Sequence, residues 1–299
     1  GPYVLTFGRE LDRLYGGGNS PGLEYDRQVI KAAIEYLQQP HERPICLVVG
    51  TYGPHHTFVA PEDLYRKYLG RIGAPDSASG EGYDMHPGAA QRQKHLDPDQ
   101  IRKMRAAYYG MIEQIDNQFG QVCEAWNQWL ERSDRQGTVC YLSDHGEQAG
   151  EKDLWAKLTF YEHSVRIPMI FAGQGVTGAR HVTAPASIID LAPTLCDLVG
   201  VAPPPEGDGQ SLMPVLGGAD ADENRAVFSD VLDGKFLGRM VRQGRWKYVS
   251  YLGYEDKDQL FDLQEDPGEY RNCIADHPQE AAALKEVLMR DYDPERTAT

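Results

Sequence analysis

The 299-residue sequence lacks a long apolar run and an excess of positive charge. No apolar stretch approaches the roughly 20 residues that span a bilayer, so we expect no membrane-spanning segment. The chain has 30 Lys and Arg residues against 45 Asp and Glu residues, which gives a formal net charge of −15. Because binding to a nucleic-acid backbone requires clustered basic side chains, we expect no nucleic-acid partner. A small anionic substrate is not excluded, since a metal or a few cations can reverse the field inside one pocket.

The sequence also lacks paired cysteines. Its five cysteines are scattered, form no Cys-x-x-Cys pair, and mostly have apolar neighbours, as Cys46 has in Ile-Cys-Leu-Val. This pattern favours reduced, buried thiols over a disulfide framework. We therefore expect a reducing compartment such as the cytoplasm, with a periplasmic or secreted location as the alternative. No signal peptide opens the chain, and Gly1-Pro2 has the form of a protease scar, so we expect the natural start to lie upstream.

Apolar patterns predict an α/β fold for the first part of the chain. Apolar residues at helical spacing predict a helix at residues 26–37 and a long helix from about Pro98, with Asp97 as its N-cap. Short apolar runs predict three strands, at residues 44–52, 137–142 and 167–172. The alternation of helices and strands predicts a mostly parallel central sheet with helices on both faces.

The pattern changes after residue 224. Short apolar runs predict a small antiparallel sheet with a terminal helix, its strands at residues 226–231, 239–242, 246–251 and 259–263 and its helix at 279–290. We therefore divide the chain into an α/β core at residues 1–223, incomplete at its N-terminus, and an antiparallel subdomain at 224–299. Residues 71–96 are rich in Gly, Ser, Asp and His, which predicts a long surface loop that is either a lid or disordered.

Polar clusters follow two of the predicted strands. His55 and His56 come after the first, and Ser143-Asp-His-Gly-Glu147 comes after the second, with a glycine that is predicted to let the backbone turn. Open α/β sheets bind ligands at the carboxyl ends of their strands, so we expect the two clusters to converge on one cleft. An Asp offers the hard oxygen that Ca²⁺ or Mg²⁺ prefers, a His can donate a proton, and a Lys attracts an anion. Such a set suits hydrolysis of a charged ester, and the alternative is a plain turn with structural histidines.

Several motifs occur in order over residues 26–290. SDHGE at 143–147, LWAKLTFYEH at 154–163 and QLFDLQEDPG at 259–268 carry the pattern. Together they resemble landmarks of the sulfatases, which belong to the alkaline-phosphatase-like superfamily. The resemblance implies a calcium-dependent hydrolase of sulfate monoesters whose partner is a small sulfated substrate.

The resemblance also implies roles for individual residues in the second cluster. Asp144 corresponds to a ligand of the divalent cation, which is usually Ca²⁺, with Mg²⁺ or Mn²⁺ as alternatives. His145 corresponds to a second ligand or to a group that hydrogen-bonds the sulfate. Lys157 corresponds to a catalytic residue that contacts a sulfate oxygen and steadies the charge on the leaving group. Glu147 has a counterpart that we interpret as structural.

The first cluster corresponds to a Pro-His element of the family. The resemblance implies that His55 contacts the sulfate or protonates the leaving oxygen. Thr57 stands where relatives usually have a proline, two positions after the histidine. The choice between His55 and His56 therefore stays open.

The family nucleophile is not recognisable in this sequence. Sulfatases carry a Cys or Ser in a C/S-x-P-x-R motif that is oxidised to formylglycine, and none of the five cysteines here is followed by x-Pro-x-Arg. We therefore expect the nucleophile upstream and the isolated chain to be inactive or nearly so, because without it only residual binding and electrostatic effects remain. The alternatives are a phosphodiesterase or phosphonate hydrolase of the same superfamily and a non-catalytic sulfatase-like binding domain. The sequence determines neither the oligomeric state nor the choice among aryl sulfate, choline sulfate and sulfated sugar.

Overall fold

A computed structural model describes residues 15–75, 84–233 and 236–290. The α-helices in these residues are α1 (Pro21–Gln38), α2 (Glu62–Leu69), α3 (Pro87–Ala90), α4 (Pro98–Ser133), α5 (Glu162–Val165), α6 (Leu191–Leu198), α7 (Met213–Leu216) and α8 (Pro278–Arg290). The strands are β1 (Tyr15–Gly17), β2 (Phe58–Ala60), β3 (Thr138–Leu142), β4 (Met169–Gly173), β5 (Ala226–Asp233), β6 (Phe236–Gln243), β7 (Trp246–Tyr251) and β8 (Gln259–Asp262). In the described part of the chain, no helix has the length and apolar character needed to cross a membrane.

The chain divides into two compact units. The described residues of the first unit are 15–75, 94–137 and 149–155. Those of the second unit are 84–93, 138–148, 156–233 and 236–290. The division at residues 223 and 224, which was drawn from the change in sequence pattern, stays a prediction.

Helix α4 organises the first unit. Asp97 caps it by accepting from the backbone N–H groups of Asp99 and Gln100, and Gln100 completes a capping box. Helices α1 and α2 pack along α4. One buried cluster joins Leu37 of α1 to Ala125 and Trp129 of α4. The two helices predicted from apolar spacing are confirmed.

The parallel sheet of the first unit consists of β1 and β2, with Tyr15 opposite Phe58 and Gly17 opposite Ala60. Phe58 and Ala60 are fully buried and pack against the apolar face of α4. A Cβ on Gly110 of α4 would lie 2.8 Å from the Cβ of Ala60, so glycine is required for this close approach. Strand β2 therefore fixes the end of the segment that carries His55 and His56.

The prediction of a β-strand at residues 44–52 is wrong. These residues have no strand partner among those described. Ile45 and Leu47 pack against the cluster of α1 and α4, whereas Cys46 is exposed and Val48 is 87% exposed. The prediction rested on a short apolar run, but a strand is defined by hydrogen bonds to a neighbouring strand, and a local apolar pattern does not supply them. The expectation that Cys46 is buried is wrong for the same reason.

The second unit contains two antiparallel sheets. Strands β3 and β4 pair antiparallel, with Thr138 opposite Gly173. The other sheet has the order β5-β6-β7-β8, with every neighbouring pair antiparallel. Helix α8 packs on it through Leu284 and Leu288, which join the buried cluster around Tyr248. The strands and terminal helix predicted for the C-terminal part are confirmed.

The α/β fold class is confirmed, with a small parallel sheet, flanking helices and the C-terminal four-stranded sheet with its helix. Parallel pairing in the described residues is limited to β1 and β2. The predicted loop at residues 71–96 falls partly on residues 76–83, which lie outside the described residues. Its later part contains α3 and the buried side chain of His86, so that part is ordered by packing.

Candidate active site

The segment after β3 presents a carboxylate and an imidazole side by side. Asp144 is 80% exposed, and its Oδ1 accepts from the backbone N–H of His145 at 2.9 Å. The His145 Nε2 lies 3.6 Å from the Asp144 Oδ2. The His145 Nδ1 lies 2.8 Å from the carbonyl oxygen of Gly146, which can only accept, so Nδ1 carries a proton. In the neutral imidazole this leaves the lone pair on Nε2, the nitrogen on the side of Asp144.

Gly146 is required for a close approach. Its N–H donates to the carbonyl of Ser164 at 2.8 Å, and a Cβ at this position would lie 2.1 Å from the carbonyl oxygen of His163. Its φ is not in the positive range that favours glycine. Glycine is therefore needed here because the backbone of residues 163–164 leaves no room for a side chain, and the predicted turning role stays a prediction.

A network around Glu147 holds the turn that carries Lys157. The Ala156 N–H donates to Glu147 Oε1 at 2.5 Å, and the Gln148 N–H donates to the carbonyl of Ala156 at 2.9 Å. The side-chain amide of Gln148 donates to Thr159 Oγ1 at 2.6 Å, with both residues buried. These bonds maintain a tight turn in which Ala156 has φ of 63°. The structural interpretation of Glu147 agrees with these contacts.

Lys157 lies half-buried close to two carboxylates. Burial lowers the pKa of Lys157 from its ordinary value, while the nearby charges of Glu147 and Asp144 raise it. The three side chains therefore share one electrostatic environment in the second unit. This environment contains a cation for an anionic ligand and a carboxylate for a metal.

The segment after residue 50 orients His55. The His55 Nδ1 lies 2.7 Å from the carbonyl oxygen of His56, so Nδ1 is again the protonated nitrogen. The hydroxyl of Tyr52 donates to the same carbonyl at 2.5 Å and lies 3.1 Å from the His55 Nδ1. The rings of His55 and His56 lie 4.1 Å apart. The peptide bonds Gly53–Pro54 and His56–Thr57 are cis.

Sequence reasoning missed Asp26, which holds this segment from helix α1. Its two carboxylate oxygens accept from the backbone N–H groups of Tyr52, at 2.6 Å, and Gly53, at 2.9 Å. Asp26 is only 1% exposed. Burial raises its pKa from the ordinary value, and the two backbone hydrogen bonds oppose that shift. The signal was present in the sequence, since Asp26 occupies the apolar stripe of α1 four residues before Ile30.

The predicted site residues fall into two sets. The second unit brings together Asp144, His145 and Lys157, whereas His55 and His56 belong to the first unit. The convergence of the two sets on one cleft stays a prediction.

The donors present fit part of a metal coordination sphere. Within the described ranges, no group of three or more His, Cys, Asp or Glu side chains is arranged to hold a metal ion. Ca²⁺ takes about six to eight oxygen ligands. Asp144 and His145 supply one carboxylate and one imidazole nitrogen, so they account for two donors of such a site.

Comparison with known proteins identifies the family. The sequence model of the family described as Sulfatase matches residues 6–201. The chain belongs to the sulfatase family. A second model, described as the C-terminal part of N-sulphoglucosamine sulphohydrolase, matches residues 150–293 of this sulfatase chain. Sulfatases are generally metal-dependent and act on sulfated small molecules or glycans.

Curated relatives carry sulfatase names and are longer than this chain. A choline-sulfatase from Rhizobium meliloti is 30% identical over 275 residues, which covers 86% of this chain and 52% of the relative. Arylsulfatase K from Mus musculus is 34% identical over 202 residues, which covers 64% of this chain and 36% of the relative. The chain thus spans about half or less of the length of these relatives.

A solved structure shares the fold. The phosphonate monoester hydrolase from Silicibacter pomeroyi superposes with a TM-score of 0.65 at 26% identity. The superposition covers 79% of this chain and 53% of that protein. The same fold therefore also occurs in a protein named as a phosphonate monoester hydrolase.

Proposed function

We propose that this chain supplies the sulfate-binding part of a hydrolase of sulfate monoesters. The observation that carries the proposal is the position of Lys157, a half-buried ammonium group on a turn fixed by Glu147 and within range of the charges of Glu147 and Asp144. A fixed positive charge stabilises an anionic ester oxygen most effectively where water is partly excluded. The family membership and the sulfatase names of the relatives support sulfate as the anion.

Two further residues complete the proposed set in the second unit. Asp144 and His145 are two ligands of a divalent cation, for which the carboxylate favours Ca²⁺. When bound, the cation polarises a sulfate oxygen. The Nε2 of His145 faces the same side as Asp144 because Nδ1 donates to the Gly146 carbonyl.

His55 is the proposed contact to the leaving oxygen. Its Nδ1–H donates to the His56 carbonyl, so a second proton taken up by the ring lies on Nε2, and in this doubly protonated form the Nε2–H donates to the leaving oxygen. We assign this role to His55 and not to His56, because the contacts at the His56 carbonyl orient the His55 ring. Since no cysteine has the x-Pro-x-Arg context of the family nucleophile, we propose that this chain by itself turns over sulfate esters at a residual rate at most.

The test is calorimetric titration of sulfate into the full chain with millimolar Ca²⁺ present. We expect saturable binding by the parent and at least a tenfold loss of affinity in Lys157→Ala. Lys257→Ala is the matched control, because Lys257 is 55% exposed and pairs only at the surface with Asp256, 3.2 Å away. Chloride at equal ionic strength separates specific binding from screening. Equal sulfate affinity in the parent and in Lys157→Ala would overturn the proposed role.

A phosphonate monoester hydrolase is the second candidate, and the similarity to the Silicibacter pomeroyi structure favours it. Competition between phenyl sulfate and a phenylphosphonate monoester separates the two, because both are monoanions with the same aryl group. Tighter binding of phenyl sulfate supports the sulfatase. Tighter binding of the phosphonate supports the second candidate.

A further inference from the structure

Asp26 is a carboxylate in the core of the first unit. It lies on the buried face of α1, between Leu23 and Ile30, with 1% of its surface exposed. In the described residues no basic side chain forms an ion pair with it. A buried charge without a cation is retained only where hydrogen bonds compensate for lost hydration. Both of its oxygens accept from the backbone, so the compensation comes from the segment that carries His55.

The contact between Asp26 and this segment is close enough to require glycine at position 53. A Cβ on Gly53 would lie 2.9 Å from the Asp26 Oδ2 and 3.2 Å from the Cδ1 of Ile115. The helix and the segment are therefore fitted to each other at this point. The first distance is to the oxygen that also accepts from the Gly53 N–H, whereas the contact with Ile115 is a separate observation that indicates the same fixed position for the segment.

Tyr52 connects Asp26 to the imidazole. Its N–H is held by Asp26, and its hydroxyl donates to the His56 carbonyl, the acceptor for the His55 Nδ1. Its ring lies 5.1 Å from the His55 ring. Movement of the Tyr52 backbone would therefore displace the group that determines which nitrogen of His55 carries the proton.

We propose that Asp26 is a positioning residue that fixes the backbone at Tyr52 and Gly53 and so maintains the Nδ1–H tautomer of His55. The inference rests on the proposed function, in which the Nε2 of His55 takes up the second proton and donates it to the ester oxygen; the Nδ1–H tautomer keeps Nε2 as the nitrogen that receives this proton. A carboxylate is needed because each of its oxygens accepts from one N–H group. The amide of Asn has one acceptor oxygen and would direct its own N–H₂ group at the other backbone donor.

The test measures the tautomer of His55 directly, by ¹⁵N NMR of the full chain labelled at histidine. In the parent we expect the Nδ1 signal in the protonated range and the Nε2 signal in the unprotonated range at a pH where the ring is neutral. In Asp26→Asn, which has nearly the same shape, both signals should move towards the average of the two tautomers. Sulfate affinity should fall by about threefold to tenfold. Asp63→Asn, at an exposed position of α2, is the control and should change neither.

Tyr52→Phe is the second variant, because it keeps the ring and removes only the hydroxyl that donates to the His56 carbonyl. A partial shift of the His55 signals is expected, and it tests the connection even where Asp26→Asn does not fold. Unchanged His55 signals in a folded Asp26→Asn, or in Tyr52→Phe where Asp26→Asn does not fold, would overturn the proposal. The tautomer readout needs no ligand. A parent chain that fails to bind sulfate would contradict the proposed function. The role of Asp26 would still be tested by the His55 signals.

Discussion

The two segments that carry the candidate site residues are held in different ways. Residues 52–57 of the first unit depend on one buried carboxylate, Asp26, that accepts from backbone N–H groups. The turn at residues 156–162 of the second unit ends in an ion-pair cluster, in which Lys247 contacts Glu162 at 2.6 Å and Glu269 at 2.7 Å. Lys247 also donates to the Phe160 carbonyl at 2.8 Å.

The difference appears in the pKa values of the carboxylates. Burial raises the pKa of Asp26, and its backbone hydrogen bonds only partly oppose that. Burial also raises the pKa of Glu162, but Lys247, with Arg242, outweighs burial and brings the pKa below its usual value. Backbone dipoles therefore hold a carboxylate in place at an energetic cost, whereas a buried cation also stabilises its charge.

The largest expected effect is that of breaking the ion-pair cluster with Lys247→Met. It leaves Glu162 and Glu269 without their shared cation, and we expect the free energy of unfolding to fall by about 3–5 kcal/mol. Urea titration followed by circular dichroism measures this. Lys257→Met is the matched exposed control and should stay within about 0.5 kcal/mol of the parent.

A triple variant separates charge from packing in the same cluster. Adding Glu162→Gln and Glu269→Gln to Lys247→Met removes the uncompensated carboxylates, so most of the lost stability should return. If Lys247→Met costs less than about 1 kcal/mol, the cluster does not hold the turn as the contacts indicate.

Gly146→Ala tests the backbone contact behind Asp144 and His145. The added methyl group would meet the His163 carbonyl, so the backbone must shift, and we expect a loss of about 1–3 kcal/mol. Gly120→Ala is the control, because a Cβ in that position of α4 meets nothing within 4 Å and Ala favours the helix by about 1 kcal/mol. Equal signs for the two substitutions in urea unfolding would contradict the steric argument.

Thr159→Val tests the side-chain bond that closes the Lys157 turn. The variant keeps the shape but leaves the buried amide of Gln148 without its acceptor, which we expect to cost about 1–2 kcal/mol. Thr159→Ser restores the hydroxyl and should recover part of the loss. A valine variant as stable as the parent in the same assay would show that the bond contributes nothing to the turn.

Local patterns in the sequence predict those elements whose stability is local. Helix α4 is predicted by its apolar spacing and the Asp97 cap, and the C-terminal sheet is predicted by its short apolar runs. Whether residues 44–52 pair with a strand, and in which direction β3 and β4 pair, are not local properties. They depend on which strand lies alongside, and that information is spread over distant parts of the chain.

The same distinction between local and distant sequence information applies to the candidate site. Sequence motifs locate Asp144, His145, Lys157 and His55, but the groups that orient them are distant in sequence or act through the backbone. Asp26 is 26 residues before the N–H of Tyr52 to which it bonds. A carboxylate in the apolar stripe of a helix was the one local sign of it, and such a residue indicates a hydrogen-bonded partner elsewhere in the core.

The smallest expected effect is a pH-dependent change in the free energy of unfolding. Its sign is opposite for Glu162 and Asp26. The lowered pKa of Glu162 gives stability that is present above its unfolded pKa of about 4.3 and is lost as the pH falls through the folded value. The raised pKa of Asp26 gives a contribution that is present below its unfolded pKa of about 3.9 and is lost as the pH rises through the folded value.

Unfolding of the parent, Glu162→Gln and Asp26→Asn over the acid-to-neutral range measures both contributions. On acidification the parent should lose stability relative to Glu162→Gln and gain stability relative to Asp26→Asn, apart from a constant offset from each lost hydrogen bond. The decisive quantity is the sign of the change with pH in the stability difference between the parent and each variant, because a packing defect shifts that difference equally at every pH. Differences of the same sign for both variants would mean that Asp26 has a stabilising cationic partner, and the contrast between a dipole-held segment and an ion-paired turn would then fail.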